Sequence, residues 1–376
     1  MQWSVESSRR KTDINATSLE NQSNAGASAS QGRSTLRFGA GCASETYGLP
    51  VGKPLDWKTL PNPTPTHDTP DPPAYFEAQL DLDDLAADEI LVPSLVLLSS
   101  TPYAYRISLT ADGHDWRLAP VTSHANFPHA ADRPASAKQM PGSQVDISGN
   151  ISTAIDLFKA HAAVSEPRLT ISLASQSPPS DYLFVISRRP QKHSPAHPGP
   201  MTTGARPVLD VPPLSQMVQP KSQRQRTCSP TALSMVMAYY GEHFHPRFID
   251  DCKDPATGLF GVWPLNMVQA GRRGFVSAVE LIQNWDAIAD WQGPFIASVS
   301  FAEGELAGAP LQQTDGHLVV VCGTNQNSVL CRDPAAESAA STAREYDLVE
   351  FTQAWLGSRG AAYFVHPANA KPGSQT

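Results

Sequence analysis

Cysteine is scarce in this chain, and what there is follows no framework. The five residues Cys42, Cys228, Cys252, Cys322 and Cys331 are odd in number and contain no C-x-x-C pair. That excludes a disulfide scaffold and a zinc ribbon. Basic charge is also short: 28 Lys and Arg stand against 36 Asp and Glu, a formal charge of −8 with no long basic stripe. Nucleic acid is therefore not the expected partner. No apolar run approaches the ~20 residues of a membrane span. The start, Met1 to Lys11, has no apolar core behind its charges, so no secretory signal is read there. The expectation is a soluble, cytoplasmic protein without cofactor or metal.

Proline, by contrast, is plentiful, at 34 residues, and it is bunched. Residues 1–70 are rich in Ser, Asn, Thr, Gly and Pro, with Pro61, Pro63, Pro65, Pro70, Pro72 and Pro73 crowding the end. Such a stretch buries too little apolar surface to offset its ordering entropy. A disordered leader is expected, with Trp57 and Leu60 as its only anchors. Residues 71–189 then show period-two alternation, as in Tyr105, Ile107, Leu109 and in Leu169, Ile171, Leu173, with a denser run at Tyr182 to Ile186. This pattern predicts a small all-β accessory domain, with one helix over 152–161. Residues 190–207 carry prolines and no apolar period, and read as a semi-rigid linker. The remainder, 208–370, alternates helical patterns with apolar strand runs and predicts an α+β domain.

The chemistry concentrates in that last part. Cys228 stands at the start of a helical pattern that runs to Gly241, with Thr227 as the cap and Pro230 in the first turn. Unpaired backbone N–H groups and the positive end of the helix dipole favour its thiolate. Read alone, Cys228 is better taken as a small buried apolar plug, and only the partners downstream reverse that reading. A thiol nucleophile needs a base, and the base needs an orienting group. His317 opens the apolar run 317–322, and Asp333 ends the next strand pattern, 329–333. If these strands form a hairpin through 323–328, their outer ends meet and the two side chains touch. Asp333 could instead cap the turn before Pro334.

Several stretches resemble the C39-like branch of the papain-like cysteine peptidases. They are Val-Pro-Pro-Leu-Ser-Gln-Met217, Cys228 through Gly241, Gly261-Val-Trp-Pro-Leu-Asn266, Gly304 to Pro310, Gly316 to Gly323 and Asp333-Pro-Ala-Ala336. They occur in order over about 160 residues, which makes the pattern specific. The resemblance implies Cys228 as nucleophile, His317 as general base and Asp333 as the orienting acid. It also implies a glutamine upstream as oxyanion donor, Gln216 first and Gln223 in reserve, with the Cys228 N–H. Trp263 and Asn266 match positions near the family's cleft, so either substrate contact or core packing is expected of them. The implied partner is a peptide or protein substrate. The implied reaction is thiol-dependent hydrolysis of a peptide or amide bond; acyl transfer by the same triad and a non-catalytic peptide-binding module are the alternatives.

Overall fold

The computed structural model describes residues 35–61, 73–124, 127, 146–195 and 206–369. The expected leader before residue 35, its proline run at 62–72, and residues 196–205 of the expected linker lie outside them. The first part contains β1 (Thr35–Ala40), α1 (Gly41–Thr46), β2 (Lys58–Leu60), β3 (Ala74–Asp81), β4 (Glu89–Leu97), β5 (Tyr103–Ala111) and β6 (His114–Arg117). It continues through β7 (Val121–Thr122), β8 (Asp146–Ser148), β9 (Ile151–Thr153), β10 (Phe158–Ala160), β11 (Arg168–Ser175) and β12 (Tyr182–Pro190). The last part contains α2 (Cys228–Tyr239), α3 (Pro246–Asp251), α4 (Trp263–Gly271), β13 (Phe275–Leu281), β14 (Phe295–Phe301) and β15 (Thr314–Thr324). After them come β16 (Ser328–Arg332), β17 (Ala343–Asp347), α5 (Leu348–Leu356) and β18 (Ala361–Pro367).

Three antiparallel sheets result. The first has the order β1-β12-β4-β10-β9-β8, and the second β2-β3-β11-β5-β6 with β7 beside β5. The third has the order β13-β18-β14-β15-β16-β17. The second sheet follows its alternation: Leu169, Ile171 and Leu173 are buried, while Thr170 and Ser172 between them are partly exposed. One face of that sheet meets the core and the other meets water. β4 and β12 differ. All nine residues of β4 are buried, because one face packs on the second sheet and the other on β13. Leu95 and Phe184 belong to the first interface, Val96 and Val185 to the second. A strand covered on both faces has no reason to alternate, which explains the dense apolar run at 182–186.

Three expectations are corrected here. Residues 35–61 are not loosely draped. β1 pairs with β12 over six residues, from Thr35 with Ser187 to Ala40 with Tyr182. Arg37 grips Glu280 on β13 with both carboxylate oxygens, at 2.6 and 2.5 Å, and the Tyr47 hydroxyl donates to the same carboxylate at 2.8 Å. The low apolar content hid a segment held by charge and by backbone pairing. Second, residues 152–161 form the β9–β10 hairpin rather than a helix, since Phe158, Lys159 and Ala160 pair with Thr153, Ser152 and Ile151. Third, the stretch Trp285 to Trp291, whose residue pattern predicts a helix, makes only a short 3-10 turn, Trp285–Ile288.

In the last part, α2 is buried from Ser229 through Met237, on all sides rather than on one face. It lies on β15 and against α3 and α4, so an all-round apolar helix is what the packing needs. Gly241, at φ 92°, ends it, and Glu242 N–H returns to Met237 O at 3.1 Å. α4 ends against β4 so closely that a Cβ on Gly271 would lie 2.3 Å from Val96.

Candidate active site

Cys228 is the first residue of α2 and is half-buried. Thr227 occupies the N-cap position, but its hydroxyl makes no capping bond, and its Oγ1 has no hydrogen-bond partner among the described residues. The first turn of α2 is instead tied down by Ser229, whose Oγ lies 2.9 Å from the Tyr363 hydroxyl.

β15 and β16 form the expected hairpin, with Val320 opposite Arg332 and Val321 opposite Cys331. Its outer end carries His317 on β15 and, just past β16, Asp333. His317 Nε2 lies 2.7 Å from Asp333 Oδ1. Both residues are nearly enclosed, at 3% and 1% exposure, so the pair works in a low dielectric. Asp333 is held by two further donors, Ala335 N–H to Oδ1 and the Tyr346 hydroxyl to Oδ2, each at 2.8 Å. The carboxylate thus serves as orienter of the ring and as anchor of the turn at Pro334 together. With Nε2 bonded to Asp333, the other ring nitrogen remains for a second partner, and His317 acts electrostatically on the Cys228 thiol.

The electrostatics agree with the contacts. Burial would raise the Cys228 pKa. The hydrogen bond and charge of His317, with help from backbone groups of Leu318 and Ser229, outweigh burial and bring it below the ordinary thiol value. Burial likewise works against a charged His317, yet Asp333 and the thiolate together carry its pKa well above that of free imidazole. Asp333 is held below the usual carboxylate range by His317 and Tyr346 against its own burial. The two shifts both favour the thiolate–imidazolium pair over the neutral pair. Burial pushes the other enclosed thiols, Cys252, Cys322 and Cys331, upward instead.

Gln216 opens a 3-10 turn, Gln216–Val218, and is 4% exposed. Its N–H donates to Pro334 O at 2.8 Å, and the neighbouring Ser215 hydroxyl bonds Ala336 O, so this segment rides on the Asp333 loop. The side-chain Oε1 of Gln216 has no partner among the described residues. Gln223 sits in a turn whose N–H bonds go to Pro220 O, and it is half-exposed. The basic residues around it are on that same outer loop, where Arg226 reaches Gly258 O at 3.0 Å.

The two cleft positions at α4 fall on the packing side. Asn266 is fully buried and spends both amide hydrogens on Phe260 O and Val262 O, at 2.9 and 2.8 Å. It shapes the turn entering α4 and has no surface left for a substrate. Trp263 is 5% exposed within the core beneath α2. Its N–H donates to Asp156 Oδ2 at 3.3 Å, and Arg359 lies over its ring at 5.9 Å. Residue patterning gave no sign of Asp156, Arg359 or Tyr346 at the site. Asp156 comes from the tip of the β9–β10 hairpin, far away in sequence, and burial pushes its carboxyl up to about 6 against the Trp263 N–H and Arg359.

Residues 208–363 match the family described as Peptidase_C39 like. This stretch of the chain is a C39-like peptidase domain. The solved structure of a candidate C39-like peptidase from Bacillus anthracis is similar at 16% identity and a TM-score of 0.32. The match covers 44% of this chain and 99% of that one. No curated protein matches the chain. In the C39-like peptidase domain, the matched span begins ahead of Gln216 and closes on β18, so it contains all the residues of the Cys228 crevice contributed by the last sheet. Asp156 and the rest of the first two sheets lie outside it.

Proposed function

We propose that the chain hydrolyses peptide or amide bonds through Cys228, His317 and Asp333. The observation that carries the reading is the buried His317–Asp333 pair, 2.7 Å apart, whose imidazole also draws the Cys228 thiol below its ordinary pKa. The Cys228 thiolate attacks the substrate carbonyl carbon, and the carbonyl π electrons move to oxygen. The resulting oxyanion is received by the Cys228 N–H at the free end of α2 and by the Gln216 side-chain amide. When the intermediate collapses, the carbon–nitrogen bond breaks and the His317 imidazolium gives its proton to the departing amine. A thioester remains. Neutral His317 then takes a proton from water, the oxygen attacks the thioester, and the thiolate leaves. Asp333 acts through His317: it fixes the ring and stabilises its charge, as Tyr346 and Ala335 fix Asp333.

A peptide-library digest with wild type and Cys228→Ala, read by mass spectrometry, tests this. Rates should fall on the order of 10⁴–10⁶-fold in the variant, the scale seen when a covalent nucleophile is removed. Cleavage untouched by the substitution would end the reading. The pH dependence follows from the shifts. As pH falls through the lowered Cys228 pKa, the thiolate is protonated, and both iodoacetamide labelling and cleavage decline. As pH rises through the raised His317 pKa, the imidazolium is lost. Cleavage then declines while labelling persists, since labelling needs only the thiolate. In His317→Ala the labelling of Cys228 should move toward the ordinary thiol range, near pH 8.5. Labelling that ignores this substitution would show that His317 does not act on the sulfur.

A further inference from the structure

The β9–β10 hairpin does more than complete the first sheet. Its turn closes by Ala154 N–H to Leu157 O at 2.9 Å, and the tip meets the entry of α4 through Asp156. Between hairpin and helix lies a cavity of about 440 Å³, within the size range of small-molecule and side-chain pockets. Ile155 and Leu157 form one wall, and Leu259 and Val262 form the other. Asp156, Lys159, Gln191 and Arg359 are the polar residues of its lining. Two of its lining residues relate it to the Cys228 site. Arg359 stands beside the residue before His317: a Cβ added to Gly316 would lie 3.7 Å from its Nη1. Asp156 reaches Trp263 at the start of α4 and acts electrostatically on Tyr363, the residue that holds Ser229 next to Cys228.

We infer that this cavity is a specificity subsite for a bulky apolar side chain of the peptide substrate, with the hairpin tip of the first sheet supplying one wall. The inference rests on the peptidase reading above. Partly exposed aliphatic side chains facing each other across an open cavity gain by covering, and an apolar side chain entering there would remove them from water. Room of this size takes a Phe, Leu, Met or Tyr side chain. The cavity adjoins His317 through Arg359, so a substrate whose scissile carbonyl meets Cys228 can reach it with a side chain close to the cleaved bond. Asp156, through the Trp263 backbone N–H, holds the hairpin against α4 and keeps the wall in place.

The test is the same library digest, run with full-length wild type, Leu157→Trp and Leu259→Trp. These two fillings come from opposite walls, and neither residue belongs to the catalytic set. Wild type should enrich Phe, Leu, Met or Tyr at one position near the cleaved bond. Each filled variant should lose that enrichment, with kcat/KM for such bonds falling by about tenfold or more. Iodoacetamide labelling of Cys228 should stay within about twofold of wild type, since the reagent needs no subsite and the imidazole is untouched. A cleavage profile unchanged in both folded variants, or no enrichment in wild type, would overturn the subsite while leaving the peptidase reading intact. Loss of Cys228 labelling in both variants would show that the residues support the fold and not specificity. No cleavage by wild type would remove the peptidase reading and the subsite together.

Discussion

The two halves of this chain are built from the same material, antiparallel sheet, yet they carry information in opposite ways. The C39-like peptidase domain keeps its chemistry local and conspicuous: a cysteine at a helix start, a histidine and an aspartate at one end of a hairpin. The first two sheets hold no titratable cluster that sequence alone would single out. They contribute through contact instead. Arg37 and Tyr47 converge on Glu280, and Arg189 donates to Ile282 O and Leu356 O, each at 2.8 Å. The β9–β10 tip lines a cavity together with Leu259, Val262 and Arg359. One half is legible by motif and the other only by what it touches.

This contrast can be broken or sharpened by substitution. The largest effect is expected where the halves join. Glu280 is fully buried and receives Arg37 and Tyr47, so Glu280→Ala leaves a buried guanidinium unpaired. A loss of about 3–5 kcal/mol is expected, read as a lower denaturation midpoint in urea. A midpoint that hardly moves would mean that the first half merely rests on the second. Next comes Gln216→Ala, which should slow cleavage by about 10²–10³-fold, the usual cost of one oxyanion donor. Its folding midpoint should move far less than that of Glu280→Ala, and Gln223→Ala should leave the rate near that of wild type. Reversal of the two glutamines would transfer the oxyanion role to the outer loop. The smallest is Tyr346→Phe. It removes one hydrogen bond to the charged Asp333 carboxylate, worth about 1.5–3 kcal/mol. Because Asp333 then holds its proton more readily and supports His317 less, the high-pH limb of cleavage should shift to lower pH. A lower rate with an unshifted limb would show that Tyr346 only packs.

Much of the site was readable before any coordinates, for a physical reason in each case. The helix at Cys228 announces itself by Pro230, by its apolar density and by Gly241. The hairpin of β15 and β16 is fixed by apolar runs around a polar turn, and hairpin geometry alone brings its two ends together. What misled was burial and hydrogen bonding that leave no periodic trace. Asn266 looks like a cleft residue by position, but it is fully buried and its amide nitrogen is spent on the turn before α4, while its Oδ1 has no partner among the described residues. Thr227 has the right chemistry for a cap and makes no capping bond. The segment 35–61 is too polar to predict as ordered, yet Arg37 and the β12 backbone hold it. The 152–161 stretch could pass for a helix because a hairpin with three-residue strands is too short to display alternation.

The sequence by itself marked the Cys228 helix, the hairpin that carries His317 and Asp333, and the residues proposed as nucleophile, base and orienter. Those depend on short-range periodicity, turn chemistry and side-chain type. Only the tertiary structure decided which glutamine lies on the Asp333 loop, that Tyr346 and Ala335 hold the carboxylate, and that a hairpin roughly seventy residues before Cys228 walls a cavity with Leu259, Val262 and Arg359. Those are pairings between distant segments, set by packing and by the need to satisfy buried polar groups, and no local pattern records them.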